Sequence, residues 1–138
     1  MHASCQCGHL TAEIDDEAEA MVVACHCIDC QRRSGSPFGS IAYYPAQAVT
    51  IAGQAREYTR AGDSGHTLTT GFCPQCGSTV YAKPGRMPDR VGVTVGTIGD
   101  PAFEPPARSV YEQSRHHWIE LPATIEGYTR GRDSERSR

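Results

Sequence analysis

Seven cysteines carry the chemistry open to this chain, and all seven stand in short-spaced groups. Cys5-Gln6-Cys7-Gly8 opens the chain, Cys25-His26-Cys27-Ile28-Asp29-Cys30 follows, and Cys73-Pro74-Gln75-Cys76-Gly77 comes later. Cys-x-Cys and Cys-x-x-Cys spacings suit zinc, which takes thiolates tetrahedrally at about 2.3 Å. Seven divides as four plus three. In an extended strand residues i and i+2 face the same way, so Cys5 and Cys7 can grip one ion together. Cys73 and Cys76 have the form of a zinc knuckle, with Pro74 setting the turn and Gly77 taking the dihedrals after it. These two pairs make one closed, structural site. Cys25, Cys27 and Cys30 are too close in sequence to be shared between two ions, so they form a second site. Three protein ligands and an open position are the arrangement of catalytic zinc, where water or an incoming thiolate takes the fourth place. Closure by a histidine, with His66 and His117 as candidates, would make that site structural instead. The expectation is two zinc ions per chain.

Two other readings of the cysteines compete with metal. An odd number argues against a complete disulfide framework, and Cys-x-Cys pairs close loops too small to staple a fold. Met1-His2-Ala3-Ser4 has neither the basic nor the apolar stretch of a secretory leader, which predicts a reducing, cytoplasmic setting. A redox Cys27-x-x-Cys30 would need a strand–helix context of the thioredoxin kind, and no long helical stripe follows.

The elements that must position these groups read as β structure. Apolar alternation or β-branched runs mark Leu10 to Ile14, Met21 to Ala24, Phe38 to Tyr44, Val49 to Ala52, Ala55 to Tyr58, His66 to Phe72, Thr79 to Ala82 and Val91 to Ile98. In the last, Val91, Val93 and Val95 take one face and Gly92, Thr94 and Gly96 the other. Glycines and prolines punctuate throughout. One short helical turn is expected after Cys30 or near Asp100-Pro101-Ala102-Phe103. The 138 residues suffice for one domain, and a hydrophobic content of 38% is a modest core that bound metal would supplement. Residues 1–125 are read as a single zinc-binding domain and 126–138 as a polar, disordered tail. Because Cys5 and Cys7 must meet Cys73 and Cys76, the metal ties the N-terminal strand to a hairpin in mid-chain. That predicts a mainly β, antiparallel sandwich or tent pinned at one edge.

A net charge of −3 and a pI near 6.0 give no reason to expect nucleic acid or an anionic membrane as partner. No apolar run approaches the roughly 20 residues of a membrane-spanning helix. Among single residues, His26 lies between two ligands and is read as pointing away from their metal, at the surface or behind the site. His9, His66, His116 and His117 are read as structural or exposed, and Trp118 as core. Asp29 either orients the ligands and accepts a proton or is an exposed carboxylate. Of Tyr43 and Tyr44 one is expected to be buried, and Ser34-Gly35-Ser36 is either an anion-binding turn or an ordinary one.

Ser4-Cys5-Gln6-Cys7-Gly8, Cys25-His26-Cys27-Ile28-Asp29-Cys30-Gln31-Arg32, Ser34-Gly35-Ser36-Pro37-Phe38 and Phe72-Cys73-Pro74-Gln75-Cys76-Gly77-Ser78 together resemble the glutathione-dependent formaldehyde-activating enzyme family, which includes centromere protein V. Val91 to Gly96 and Glu112 to Trp118 look like further family segments, so the resemblance runs from about Ser4 to Trp118. It implies a β-tent of antiparallel sheets. It implies a structural zinc on Cys5, Cys7, Cys73 and Cys76 and a second zinc on Cys25, Cys27 and Cys30, near where glutathione binds. It implies addition of glutathione to formaldehyde to give S-(hydroxymethyl)glutathione, a carbon–sulfur lyase in reverse. Arg32 continues the family's Cys-Gln-Arg pattern and is the expected substrate contact, with Arg33 read as solvent-facing. Thr70 and Ser109 stand where relatives often carry arginine and histidine.

The expected function is therefore a zinc-dependent carbon–sulfur lyase with Cys25, Cys27 and Cys30 as its reactive site. Its partners would be a small thiol such as glutathione and an aldehyde, and a homo-oligomer is compatible with the sequence. The alternative is a non-catalytic zinc module: a thiol carrier, a zinc buffer or a protein-interaction domain.

Overall fold

The computed structural model describes residues 1–62 and 65–138. The chain is mainly β, with eleven short strands and two short helices among the described residues. In order, the strands are β1 His2–Ser4, β2 Thr11–Ile14, β3 Met21–Cys25, β4 Gly39–Pro45, β5 Val49–Ala52, β6 Arg56–Ala61, β7 Thr67–Phe72, β8 Thr79–Pro84, β9 Arg90–Thr94, β10 Arg108–Val110 and β11 Glu126–Gly127. Helix α1 spans Ile28–Ser34 and α2 Val95–Ile98. They fall into two units, Met1–Ala20 with Ile41–Phe103, and Met21–Ser40 with Glu104–Arg138.

The first unit is antiparallel throughout. β2 pairs with both β1 and β5, setting Ala12 against Ala3 and Ile51. A second ladder runs β4-β9-β8-β7-β6, with Ala42 opposite Val93, Tyr81 opposite Val93, and Thr70 between Tyr58 and Ala82. Period-2 alternation sets the inward face of β2, where Ala12 and Ile14 are buried, whereas β8 and β9 bury consecutive residues, Val80 to Ala82 and Gly92 to Thr94. Tyr44 is the buried member of the tyrosine pair, while Tyr43 is half-buried.

The run Val91 to Ile98 does not stay extended. β9 stops at Thr94, and α2 begins at once. The Thr97 hydroxyl donates to the Thr94 carbonyl at 2.7 Å, and Gly99 closes the turn in the left-handed region. A local side-chain bond of this kind offers the backbone an alternative to the ladder, which valine periodicity does not register.

In the second unit the pairing is parallel. β10 lies between β11 and β3, with Arg108 opposite Val23 and Val110 opposite Cys25. Val22, Ala24, Ser109, Val110, Ile119 and Ile125 are buried here. The stretch 126–138 carries β11 and a bridge between Tyr128 and Arg136. Ser137 and Arg138 both bond to the Glu112 carboxylate. Trp118, expected in the core, is 63% exposed, and its ring meets that of His116 edge-on. No helix among the described residues is long and apolar enough to cross a membrane.

One glycine in the first unit is structurally demanding. Gly53, after β5, has φ of +97°, and a Cβ there would overlap the carbonyl of His9. Positive φ alone costs a non-glycine residue on the order of 1–3 kcal/mol, and backbone cannot move aside as a flexible side chain can. Gly53→Ala is therefore expected to lower the melting temperature by several degrees and to weaken metal retention at the neighbouring Cys5–Cys7 turn. Thermal denaturation with a zinc assay checks it; an unchanged midpoint would show that the turn yields freely.

Candidate metal centres

The four-cysteine cluster is built from two matching turns. After β1, the Cys5 N–H donates to the Leu10 carbonyl at 2.9 Å and the Gly8 N–H to the Cys5 carbonyl at 3.2 Å. After β7, the Cys73 N–H donates to the Ser78 carbonyl at 3.0 Å and the Gly77 N–H to the Cys73 carbonyl at 2.8 Å. Gly8 and Gly77 occupy corresponding left-handed positions, at φ of +85° and +80°. Cys5 and Cys7 thus belong to a knuckle, not to an extended strand, because β1 ends at Ser4 and the turn bonds take over. Ser78 joins the turns: its hydroxyl accepts from the Gln6 N–H at 3.2 Å and lies 3.4 Å from Cys76 Sγ.

The sulfurs of Cys5, Cys7, Cys73 and Cys76 all lie within 4.8 Å of one another. Cys5 Sγ is 3.7 Å from Cys7 Sγ, and Cys7 Sγ is 3.6 Å from Cys73 Sγ. A tetrahedron with metal–sulfur distances of about 2.3 Å has sulfurs about 3.8 Å apart, so this set fits a zinc ion. The Leu10 N–H aims at Cys5 Sγ from 3.2 Å, and His9 Nδ1 lies 3.1 Å from Cys7 Sγ. Such bonds orient the donors and spread their negative charge.

Without a cation, Cys76 and Cys7 are driven in opposite directions. The Ser78 hydroxyl and backbone hold Cys76 down at about 5. At Cys7 a His9 backbone bond pulls the value down, but burial and the Cys73, Cys5 and Cys76 sulfurs outweigh it, to about 12. Close thiols surrender their protons one after another because each thiolate opposes the next. A cavity of about 240 Å³ opens beside this cluster, lined by His9, Gly53, Gln54, Cys73, Pro74 and Gln75.

The three-cysteine cluster stands where β3 passes into α1. Cys25 ends β3, His26 turns the corner, and Cys27 caps the helix, its Sγ accepting the Cys30 N–H at 3.3 Å. The Gly35 N–H returns to the Gln31 carbonyl at 2.8 Å and stops α1 after seven residues. Ser34-Gly35-Ser36 is accordingly a helix C-cap, with the Ser34 hydroxyl donating to the Cys30 carbonyl at 2.8 Å. Cys30 is buried, while Cys25 and Cys27 are half-buried. The three sulfurs lie within 4.8 Å of one another, and no histidine belongs to the group among the described residues.

Two of these thiols resist ionisation by themselves. The Cys27 and Cys30 sulfurs, and then burial, push the Cys25 thiol far above its ordinary value. At Cys30 the bond with Cys25 lowers the value, Cys27 and burial outweigh it, and the Arg33 guanidinium pulls it partly back. A dication among the sulfurs removes that obstacle, which is why clustered thiols of this kind fit a metal.

Of the support behind the trio, His26 in that place is one of two readings open from sequence, and Gln31 is in neither. His26, expected at the surface or behind the ligands, is fully buried, with Nε2 3.0 Å from the Ser109 hydroxyl and its ring 5.3 Å from Phe38. Burial holds it below the ordinary histidine range, hence neutral. Gln31 ties the corner together. Its amide donates to the carbonyls of His26 at 2.9 Å and Ser114 at 3.0 Å, and its Oε1 lies 2.9 Å from His116 Nε2. The position of Gln31 directly after Cys30 was the available signal. Asp29 is exposed in the first turn of α1, and Arg32 is exposed one turn on; Arg33 is half-buried. His9, His66, His116 and His117 are exposed, and Thr70 is buried.

The profile of the family described as glutathione-dependent formaldehyde-activating enzyme matches residues 1–114, a span containing both clusters. Among solved structures, a Rhodobacter sphaeroides protein is similar in fold, with a TM-score of 0.54 at 20% identity over 76% of this chain and 92% of that one. No curated protein sequence is significantly similar. Since the match holds over most of the chain and through every cysteine group, the chain belongs to the glutathione-dependent formaldehyde-activating enzyme family.

Proposed function

We propose that this chain is a zinc-dependent carbon–sulfur lyase of the S-(hydroxymethyl)glutathione synthase type, joining glutathione or a related thiol to formaldehyde. Family membership supports an enzyme concerned with glutathione and formaldehyde. The observation that carries the finer reading is the contrast between the two clusters. One offers four sulfurs, a complete tetrahedral set; the other offers three and stands half-buried at a strand–helix corner.

In the forward direction the thiol sulfur bonds to the aldehyde carbon, the carbonyl π pair moves to oxygen, and the thiol proton ends on that oxygen. The reverse step breaks the carbon–sulfur bond. A free thiol is mostly protonated at neutral pH, and a zinc ion with an open position would lower its pKa and favour the attacking thiolate. The chain's own contribution is a fixed frame. Cys25 is held by β3 pairing with β10, Cys27 by its capping bond, and Cys30 by burial in α1. Neutral His26 and the Gln31 bonds keep that frame from rearranging when a ligand arrives. Three thiolates around one dication would leave a net charge of −1, which weakens the Lewis acidity of the ion and makes nearby positive charge valuable.

Exchange NMR on mixtures of glutathione and formaldehyde tests the reading. Zinc-loaded protein is expected to accelerate adduct exchange beyond the uncatalysed rate. Absence of acceleration with both clusters metallated would leave a non-catalytic zinc module in its place.

A further inference from the structure

Arg33 brings a charge to the reactive cluster for which the fold supplies no partner. It sits in the last turn of α1, three residues after Cys30. Its Nε is buried with no hydrogen-bond partner, and no carboxylate pairs with its guanidinium among the described residues. A Cβ at Gly39 would stand 2.5 Å from Arg33 Nη2 and 3.5 Å from Cys30 Cβ, so the guanidinium, the bare Gly39 backbone and the Cys30 stem meet at one place. Burying part of a guanidinium without a partner is unfavourable. That cost falls away if an anion arrives. A guanidinium offers a planar fork of donors matched to a carboxylate, and glutathione carries two carboxylates.

We propose that Arg33 selects the ligand of the three-cysteine cluster by pairing with its carboxylate, so that the site takes carboxylate-bearing thiols in preference to neutral ones. The proposal rests on the reading of that cluster as an open thiol site. It assigns to Arg33 the contact that the sequence pattern suggests for Arg32, which is exposed. The absence of a side chain at Gly39 is what admits the guanidinium.

Calorimetry on the zinc-supplemented full chain, with 3-mercaptopropionate and its amide as paired probes, tests this. Wild-type protein is expected to bind the acid roughly ten- to a hundredfold more tightly than the amide, the span of a charge-assisted bond. Arg33→Met, which keeps the apolar stem, should bind both probes with the affinity of the amide, and Arg33→Lys should recover part of the preference. Gly39→Ala offers an independent route: it displaces only the far end of a flexible side chain, so it should erode the preference with little change in melting temperature. Preference surviving in Arg33→Met, equal weakening of both probes there, or loss of preference in Arg32→Ala alone would overturn the assignment. If wild-type protein binds neither thiol, the open-site reading falls and the assignment with it; binding without preference sinks the assignment alone.

Discussion

Cys5→Ser is expected to strip the first unit of its metal and much of its stability. Cys5 is 4% exposed, its sulfur accepts the Leu10 N–H at 3.2 Å, and it stands 3.7 Å from Cys7 Sγ. A serine hydroxyl remains neutral where a thiolate is needed, so the tetrahedral set drops to three. Structural zinc binding is worth about 10–16 kcal/mol in small metal-dependent folds, against a total stability of about 5–15 kcal/mol for an ordinary domain. Losing even a few kcal/mol of it in a chain of this size lowers the melting temperature by more than about 10 °C. Metal aside, the Gln6–Ser78 bond and the sulfur contact of Cys7 with Cys73 hold the Cys5–Leu10 turn to the Cys73–Ser78 turn. Calorimetric melting and zinc stoichiometry on anaerobically purified protein decide the matter. A variant that melts with the wild type and keeps its zinc would remove the structural role from this cluster.

Cys27→Ser should do the opposite. The Cys27 sulfur caps α1 by accepting the Cys30 N–H at 3.3 Å, and serine is among the best N-cap residues, so the helix keeps its cap. The corner is also held by the His26 N–H to Val110 carbonyl bond at 3.0 Å and by Gln31, neither of which involves the sulfur. A neutral hydroxyl is nonetheless a poor replacement for a thiolate donor. The expected outcome is one zinc lost from two, a melting temperature within a few degrees of wild type, and acceleration of adduct exchange reduced at least about a hundredfold, the scale on which removal of one transition-state interaction acts. Equal loss of stability in Cys5→Ser and Cys27→Ser would count against separate roles for the two clusters, as would full activity in Cys27→Ser.

The partition of the cysteines followed from spacing, because ligand spacing is a local property: two residues on one turn reach one ion whatever surrounds them. Strand periodicity likewise placed β2, β3, β5, β7 and β8 to within a residue or two at their starts, since alternation is imposed by the pleat itself. Other features depend on distant partners. β10 is three residues, Arg108 to Val110, with no periodic signal, and it exists because β3 supplies its ladder. The knuckle at Cys5 to Leu10 overrides an extended reading because its bonds close back on the chain. His26 is buried and Trp118 exposed, a reversal of hydropathy in which the Ser109 hydroxyl gives the buried imidazole its partner. Arg32 and Arg33 differ in helical phase: in α1 Arg33, three residues after Cys30, shares its face, and Arg32 does not. Room for the guanidinium there depends on the missing Cβ at Gly39, and only the path of the folded backbone brings that glycine beside Arg33.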